Sequence, residues 1–192
     1  DKLRARLPAG YSIEEGGAVA ESDKGNRSVF TVLPVTLVIM LLLLMLQLRR
    51  YSRMFLALFI APFGLPGIVL AMLPGGTPMG FVALLGVIAL AGMIIRNAVI
   101  LIGEADSNLA QGMTNDAAII AAAEHRARPI CLTACAAILG MIPISHQVFW
   151  GPMAYAIIGG LLVATLVTLT VLPASFSLLL QWGDGLRNRH SV

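Results

Sequence analysis

Between Pro129 and Gly183 there is no aspartate, glutamate, lysine or arginine. Charged residues make up 12% of the 192, about half the roughly 25% of soluble domains. A water-soluble fold has no use for such depletion, so a soluble globular domain is excluded. With 58% hydrophobic residues and a mean hydropathy of +0.87, the chain reads as an integral membrane protein. Cysteine is scarce too: Cys131 and Cys135 stand four apart on one helical face and make no disulfide framework. They lack a nearby third ligand, so neither a metal site nor any cofactor is expected. Nine methionines are scattered without a common face and read as packing. The net charge of +3 does not signal a nucleic-acid partner, because the charges gather at the ends of the apolar runs, as topology signals do. The sequence opens at Asp1 on a polar stretch with no basic segment, apolar run and cleavage site, so no signal peptide is read. The expectation is a C-terminal piece of a longer polypeptide.

Five apolar spans follow, at about 29–48, 54–73, 79–103, 129–145 and 153–181. A bilayer crossing takes about 20 such residues at helical rise. The turn Pro74-Gly75-Gly76-Thr77-Pro78 separates the second and third, and Trp150-Gly151-Pro152 the fourth and fifth. Asp116 to Arg126, after the breaker and cap residues Gly112 to Asn115, is amphipathic. It predicts a connector helix over 115–127 lying at the membrane surface. Leu7 to Ile13 carries turn residues and then a β-like run; residues 1–28 read as the last strand of an external domain or as a solvated tail. The fold class is thus an all-α membrane protein, five helices of a larger bundle with a short β-like N-terminal segment.

Lysine and arginine set the orientation. Arg49, Arg50 and Arg53 join the first two spans, Arg126 and Arg128 precede the fourth, and Arg187 and Arg189 follow the fifth. All three groups fall on one side, and the connections Pro74–Pro78 and His146–Pro152 on the other contain none. The tail at 183–192 is therefore expected in the cytoplasm and residues 1–28 outside.

One charge breaks this order. Arg96 sits with Asn97 inside the third span. Arginine near the centre of a membrane helix costs about 2.5–3.5 kcal/mol on insertion scales, and it cannot shed its proton to escape. No carboxylate lies within any of the five spans, so the counter-charge is expected from elsewhere. Ala89, Gly92, Arg96 and Gly103 share a face whose small residues let another helix approach. The plainer reading is snorkelling toward the headgroups, which the adjacent Asn97 weakens. Arg126, Thr133 and Gly140 form a second stripe, seven apart, along the fourth span. Thr133 either bonds across helices or back to its own helix, and Arg126 is either functional or a positive-inside residue.

Gly80-Phe81-Val82-Ala83-Leu84-Leu85-Gly86 and Ala91 to Leu101, with Arg96-Asn97 at their centre, resemble the tenth transmembrane helix of resistance-nodulation-division (RND) efflux pumps. Arg126-Ala127-Arg128-Pro129-Ile130-Cys131-Leu132-Thr133 and Ile138 to Pro143 are similar to the eleventh, Ala61 to Gly67 to the ninth, and Leu7 to Tyr11 with Gly16-Gly17 to the end of the periplasmic porter domain. The resemblance implies helices eight to twelve of a proton-driven antiporter in the bacterial inner membrane. It also implies a homotrimer with a periplasmic adaptor and an outer-membrane channel. Arg96, Asn97, Arg126 and Thr133 take the proton-coupling positions, opposite fourth-helix aspartates that lie outside this chain. Well-studied drug exporters carry lysine where this chain has Arg96, so Arg96 is expected to act as a fixed counter-ion. The pair Arg96-Asn97, where metal-exporting relatives tend to carry a carboxylate, favours export of hydrophobic or amphiphilic drugs; export of metal ions or lipids is the alternative.

An enzyme is not expected. An intramembrane hydrolase needs a nucleophile facing a base, yet Ser28, Ser145 and Ser175 lie at or near span ends and His125, His146 and His190 outside the spans. A non-transporting assembly protein remains, and would tolerate loss of Arg96. The topology is testable with single cysteines in a background lacking Cys131 and Cys135. At Ser52 and Asn188 they resist an impermeant thiol reagent in intact cells; at Gly76 or Gln147 they react. The reverse pattern sinks the orientation.

Overall fold

The computed structural model describes residues 18–76 and 79–189, and every regular element among them is helical. They run α1 (Ala18–Leu48), α2 (Tyr51–Ile60), a 3₁₀ turn (Ala61–Gly64), α3 (Leu65–Gly75), α4 (Phe81–Ala110), α5 (Asn115–Ser145) and α6 (Gly151–Arg189). Five helical stretches are long and apolar enough to cross a membrane, with α2, the 3₁₀ turn and α3 forming the second. The β-like run Leu7–Ile13 lies outside the described residues.

Three boundaries differ from the sequence reading, each for a physical reason. Helix α1 begins at Ala18, about ten residues before the apolar run. No proline interrupts Ala18 to Arg27 and the helix tolerates the single Gly25, and the Thr31 hydroxyl donates to the Arg27 carbonyl at 2.8 Å across the join. The second span is bent. Pro62 and Pro66 have no N–H to give the helix, and the missing bonds resolve into the 3₁₀ turn. The connector 115–127 and the span 129–145 are one helix, α5, running straight through Pro129. Membrane helices tolerate such a proline where neighbouring groups compensate.

Helix α4 is the axis. Leu90, Ile94, Ala98, Leu101 and Ala105 recur at helical spacing and are buried against Ala156, Leu161, Ala164, Leu172 and Phe176 of α6 and Ile60 and Ile68 of the bent span. Close approach depends on glycine at the α3–α6 crossing. A Cβ on Gly67 would fall 2.4 Å from the Gly159 carbonyl oxygen, and one on Gly159 would fall 2.2 Å from the Ala71 Cβ. Gly160 leaves the same kind of notch for Leu90. With lipid as apolar as leucine, this contact of small residues holds membrane helices together. Helix α1 buries little beyond Leu44 and Leu48, and Phe30, Val35, Leu42 and Leu46 lie open.

Polar contacts tie the helices at one end. Arg49, in a left-handed conformation at φ 52°, ends α1 and turns the chain into α2. Four residues on, the Arg53 guanidinium pairs with the Asp106 carboxylate of α4, and its carbon Cζ lies 5.9 Å from the Phe176 ring centroid of α6. The Ser177 hydroxyl donates to Asp116 at the start of α5, 3.1 Å away. One clasp thus joins α2, α4, α5 and α6 on the side where the sequence reading puts the basic connections.

Two outcomes test this packing. Gly159→Val in the purified protein lowers the melting temperature in detergent by an amount equivalent to about 1–3 kcal/mol, the usual cost of overpacking; an unchanged melt contradicts the crossing. Asp106→Ala costs about 1.5–3 kcal/mol, the worth of a hydrogen bond to a charged group. Arg53→Met with Asp106→Leu regains most of that, because an apolar pair needs no desolvated charge; equal melts for the single and double variants contradict the clasp.

Candidate functional site

Arg96 lies at the middle of α4, fifteen residues after Phe81 and fourteen before Ala110. At 3.6 residues per turn, Ile94, Ala98 and Ala105 stand within about 20° of the side opposite Arg96, and all three are buried. Ala89, Gly92, Ile100, Gly103 and Ser107 stand within about 40° of Arg96 itself, and all are exposed. Nothing among the described residues lies within 4 Å of where a Cβ on Gly92 or Gly103 would sit. The packed side of α4 therefore leaves Arg96 on an exposed face of mostly small residues, with Ile100 beside it.

The sequence-derived residues do not form a single cluster. Arg96 is exposed and Asn97 half-buried, and among the described residues neither side chain makes a hydrogen bond or an ion pair. Thr133 is exposed on α5, and its hydroxyl turns back to the carbonyls of Pro129 and Ile130, each at 3.0 Å. Arg126 lies nearer the clasped end and pairs with Glu104 of α4. Its Nε donates to Glu104 Oε2 at 3.1 Å, and its Nη2 donates to the same oxygen. The other carboxylate oxygen meets His125 Nδ1 at 3.2 Å.

Glu104 and Asp106 are the residues that sequence reasoning missed. Both lie just past the apolar run ending at Gly103, where a carboxylate reads as part of a solvated connector. Their helical angles held a signal: they stand about 80° to either side of Arg96. Glu104 reaches Arg126 of α5, and Asp106 reaches Arg53 of α2. The face bearing Arg96 is thereby bracketed by two ion pairs below it. A cavity of about 620 Å³ opens beside one of them, with Glu104, Asn108, Glu124, His125, Arg128 and Pro129 in its lining. No grouping of three or more His, Cys, Asp or Glu that could hold a metal occurs among the described residues.

Arranged so, the site presents an exposed guanidinium midway along α4, with a polar cavity nearer the end of the helix. A family model described as the AcrB/AcrD/AcrF family matches residues 1–180. The nickel and cobalt resistance protein CnrA of Cupriavidus metallidurans is 33% identical over 92% of this chain, and the cobalt-zinc-cadmium resistance protein CzcA of the same organism is 32% identical over 91%. A crystal structure of a heavy metal efflux pump superposes with a TM-score of 0.71 at 28% identity, covering 92% of this chain and 18% of that one. The chain spans 17% of the length of these two curated relatives. Neither they nor that pump is named for drugs, which turns the expectation of multidrug export toward its alternative. With its matched region reaching from residue 1 to residue 180, the chain belongs to the AcrB/AcrD/AcrF family of resistance-nodulation-division efflux proteins.

Proposed function

We propose that this chain supplies the fixed cation of a proton-driven RND exporter whose cargo is a divalent metal ion. The carrying observation is Arg96: mid-helix and exposed, on the side of α4 opposite its packed residues. A carboxylate-bearing helix from the rest of a longer polypeptide meets that face. Arg96 stays charged throughout, so the carboxylates do the titrating. When ionised they are drawn to Arg96; when protonated they release it. Alternation between paired and unpaired arrangements biases two states of the bundle and couples proton entry to movement elsewhere. Asn97 stands beside the pair as a hydrogen-bonding neighbour, and Thr133 and Arg126 serve from α5.

The family supports a multi-pass protein of the bacterial inner membrane that works as a homotrimer with a periplasmic adaptor and an outer-membrane channel. The basic connections at one end of the bundle support a cytoplasmic C-terminus and an external N-terminal segment. The chain transports and catalyses no covalent chemistry. Cargo identity rests on the names of the metal-resistance relatives. A second reading, export of hydrophobic or amphiphilic compounds, is favoured by the pair Arg96-Asn97.

The test uses the complete exporter in proteoliposomes under an imposed proton gradient, with protein levels matched by immunoblot. Wild type moves Co²⁺ or Zn²⁺; movement of a lipophilic dye without either metal favours the second reading. Arg96→Ala leaves expression and assembly intact and abolishes transport. Arg96→Lys keeps part of it, since the charge survives without the planar geometry. Thr133→Ala is milder, because one neutral hydrogen bond is worth about 0.5–1.5 kcal/mol. Normal transport by Arg96→Ala defeats the coupling role.

A further inference from the structure

The turn between α1 and α2 carries two arginines and no carboxylate. Arg49 and Arg50 are both exposed, and among the described residues neither side chain makes an ion pair or a hydrogen bond. Arg50 is near enough to feel the charges of Arg53 and Asp106, but those two neutralise each other. The other acids with described side chains at this end are committed elsewhere. Glu104 takes Arg126, Glu124 lines the α4–α5 cavity with Arg128, and Asp116 meets Ser177, about 160° round α6 from Leu179. This corner of the bundle therefore keeps a net positive charge. Two residues past Arg50 an open apolar groove begins. It encloses about 660 Å³ and is lined by Ser52, Phe55, Leu56, Leu58 and Phe59 of the bent span and by Leu179 of α6. Phe55 and Phe59 are exposed, and Phe59 continues the aromatic stripe to Phe63, with ring centroids 5.5 Å apart. From Ser52 to Phe59 the groove runs about 10 Å at helical rise. Tyr51 and Trp182 stand open at its charged end, and these two residue types mark the level of the lipid headgroups.

We propose that this corner is a binding site for an anionic phospholipid: Arg49 and Arg50 hold its phosphate, and the groove between α2 and α6 takes an acyl chain. Passing inward, the surface presents cations, then interfacial aromatics, then an apolar channel. A phospholipid of net negative charge has the complementary order, with phosphate outermost and hydrocarbon beneath. A guanidinium suits the phosphate because its planar donors meet two oxygens at once, and basic residues at the membrane surface draw anionic lipids. A protein helix laid in the groove would need apolar side chains along its length and carboxylates at the level of Arg50; one lipid molecule supplies both. The site is independent of Arg96 and of the cargo, and it stands or falls whatever the exporter carries.

The complete exporter is reconstituted in phosphatidylcholine bilayers holding a trace of phosphatidylglycerol with a photoactivatable diazirine in its acyl chain. After illumination, the cross-linked peptides are identified by mass spectrometry. Label falls on the peptides that contain Phe55 to Phe59 and Leu179, and unlabelled phosphatidylglycerol displaces it. Phosphatidylcholine carrying the same diazirine labels those peptides several-fold less. Arg49→Gln with Arg50→Gln brings the phosphatidylglycerol label down to the phosphatidylcholine level, whereas Arg49→Lys with Arg50→Lys keeps most of it. The comparison of the two lipids on the wild-type protein needs no variant, so it decides the matter even where the glutamine pair fails to insert. Equal labelling by both lipids means that only bulk lipid lies at the groove. No label from either means that another stretch of the polypeptide covers it. A preference for phosphatidylglycerol that survives both glutamines places the headgroup elsewhere. Each of these three results overturns the proposal.

Discussion

A guanidinium that cannot lose its charge within an apolar span constrains everything around it. Arg96 stands seven residues before the apolar run ends at Gly103, on the side of α4 opposite its packed residues. One side of α4 is a continuous apolar stripe from Leu90 to Ala105 that α6 and the bent second span cover. The opposite side is mostly small, with Ala89, Gly92, Gly103 and Ser107, and carries Ile100 beside Arg96. The energy of the packed side fixes the rotation of α4, and that rotation fixes where the charge points.

The glycines of the α3–α6 crossing belong to the same logic. Gly67 and Gly159 bring two backbones into contact, and Gly160 receives Leu90 from α4. That arrangement draws the bent span, α4 and α6 into one body without a hydrophobic driving force, which lipid does not supply. The ion pairs then divide the charged residues by task. Arg53 and Asp106 close the clasp with Phe176, while Glu104 takes Arg126. Two carboxylates separated by one residue on a helix point to different neighbours, so α4 is tied to α2 on one side and to α5 on the other.

How much of this the sequence discloses depends on the distance over which each feature acts. The face bearing Arg96 was legible because Ala89, Gly92 and Gly103 repeat at helical spacing within one span. The five spans were legible because depletion of charge over twenty residues has few other causes. Partner choice was not: Glu104 and Arg126 lie 22 apart in the chain, and they meet only because the turn at Gly112, with φ 88°, folds α5 back along α4. Thr133 left two options open, and the structure takes the local one. Pro129 misled because its usual meaning in soluble helices is a boundary. The polar start of α1 misled because a charged helix leaving a bilayer has the composition of a loop.

Cargo was the least legible feature, and the reason is architectural. Coupling by a fixed cation demands only that a titrating group alternate between two electrostatic environments; it places no demand on what is carried. Arg96 and its face are therefore compatible with a metal ion or an amphiphile, and the metal reading draws on relatives whose remaining length lies beyond this chain. A strong site in the coupling layer would hold a divalent cation against the very charge that Arg96 supplies. Keeping cargo away from the fixed cation lets proton movement act on the bundle alone.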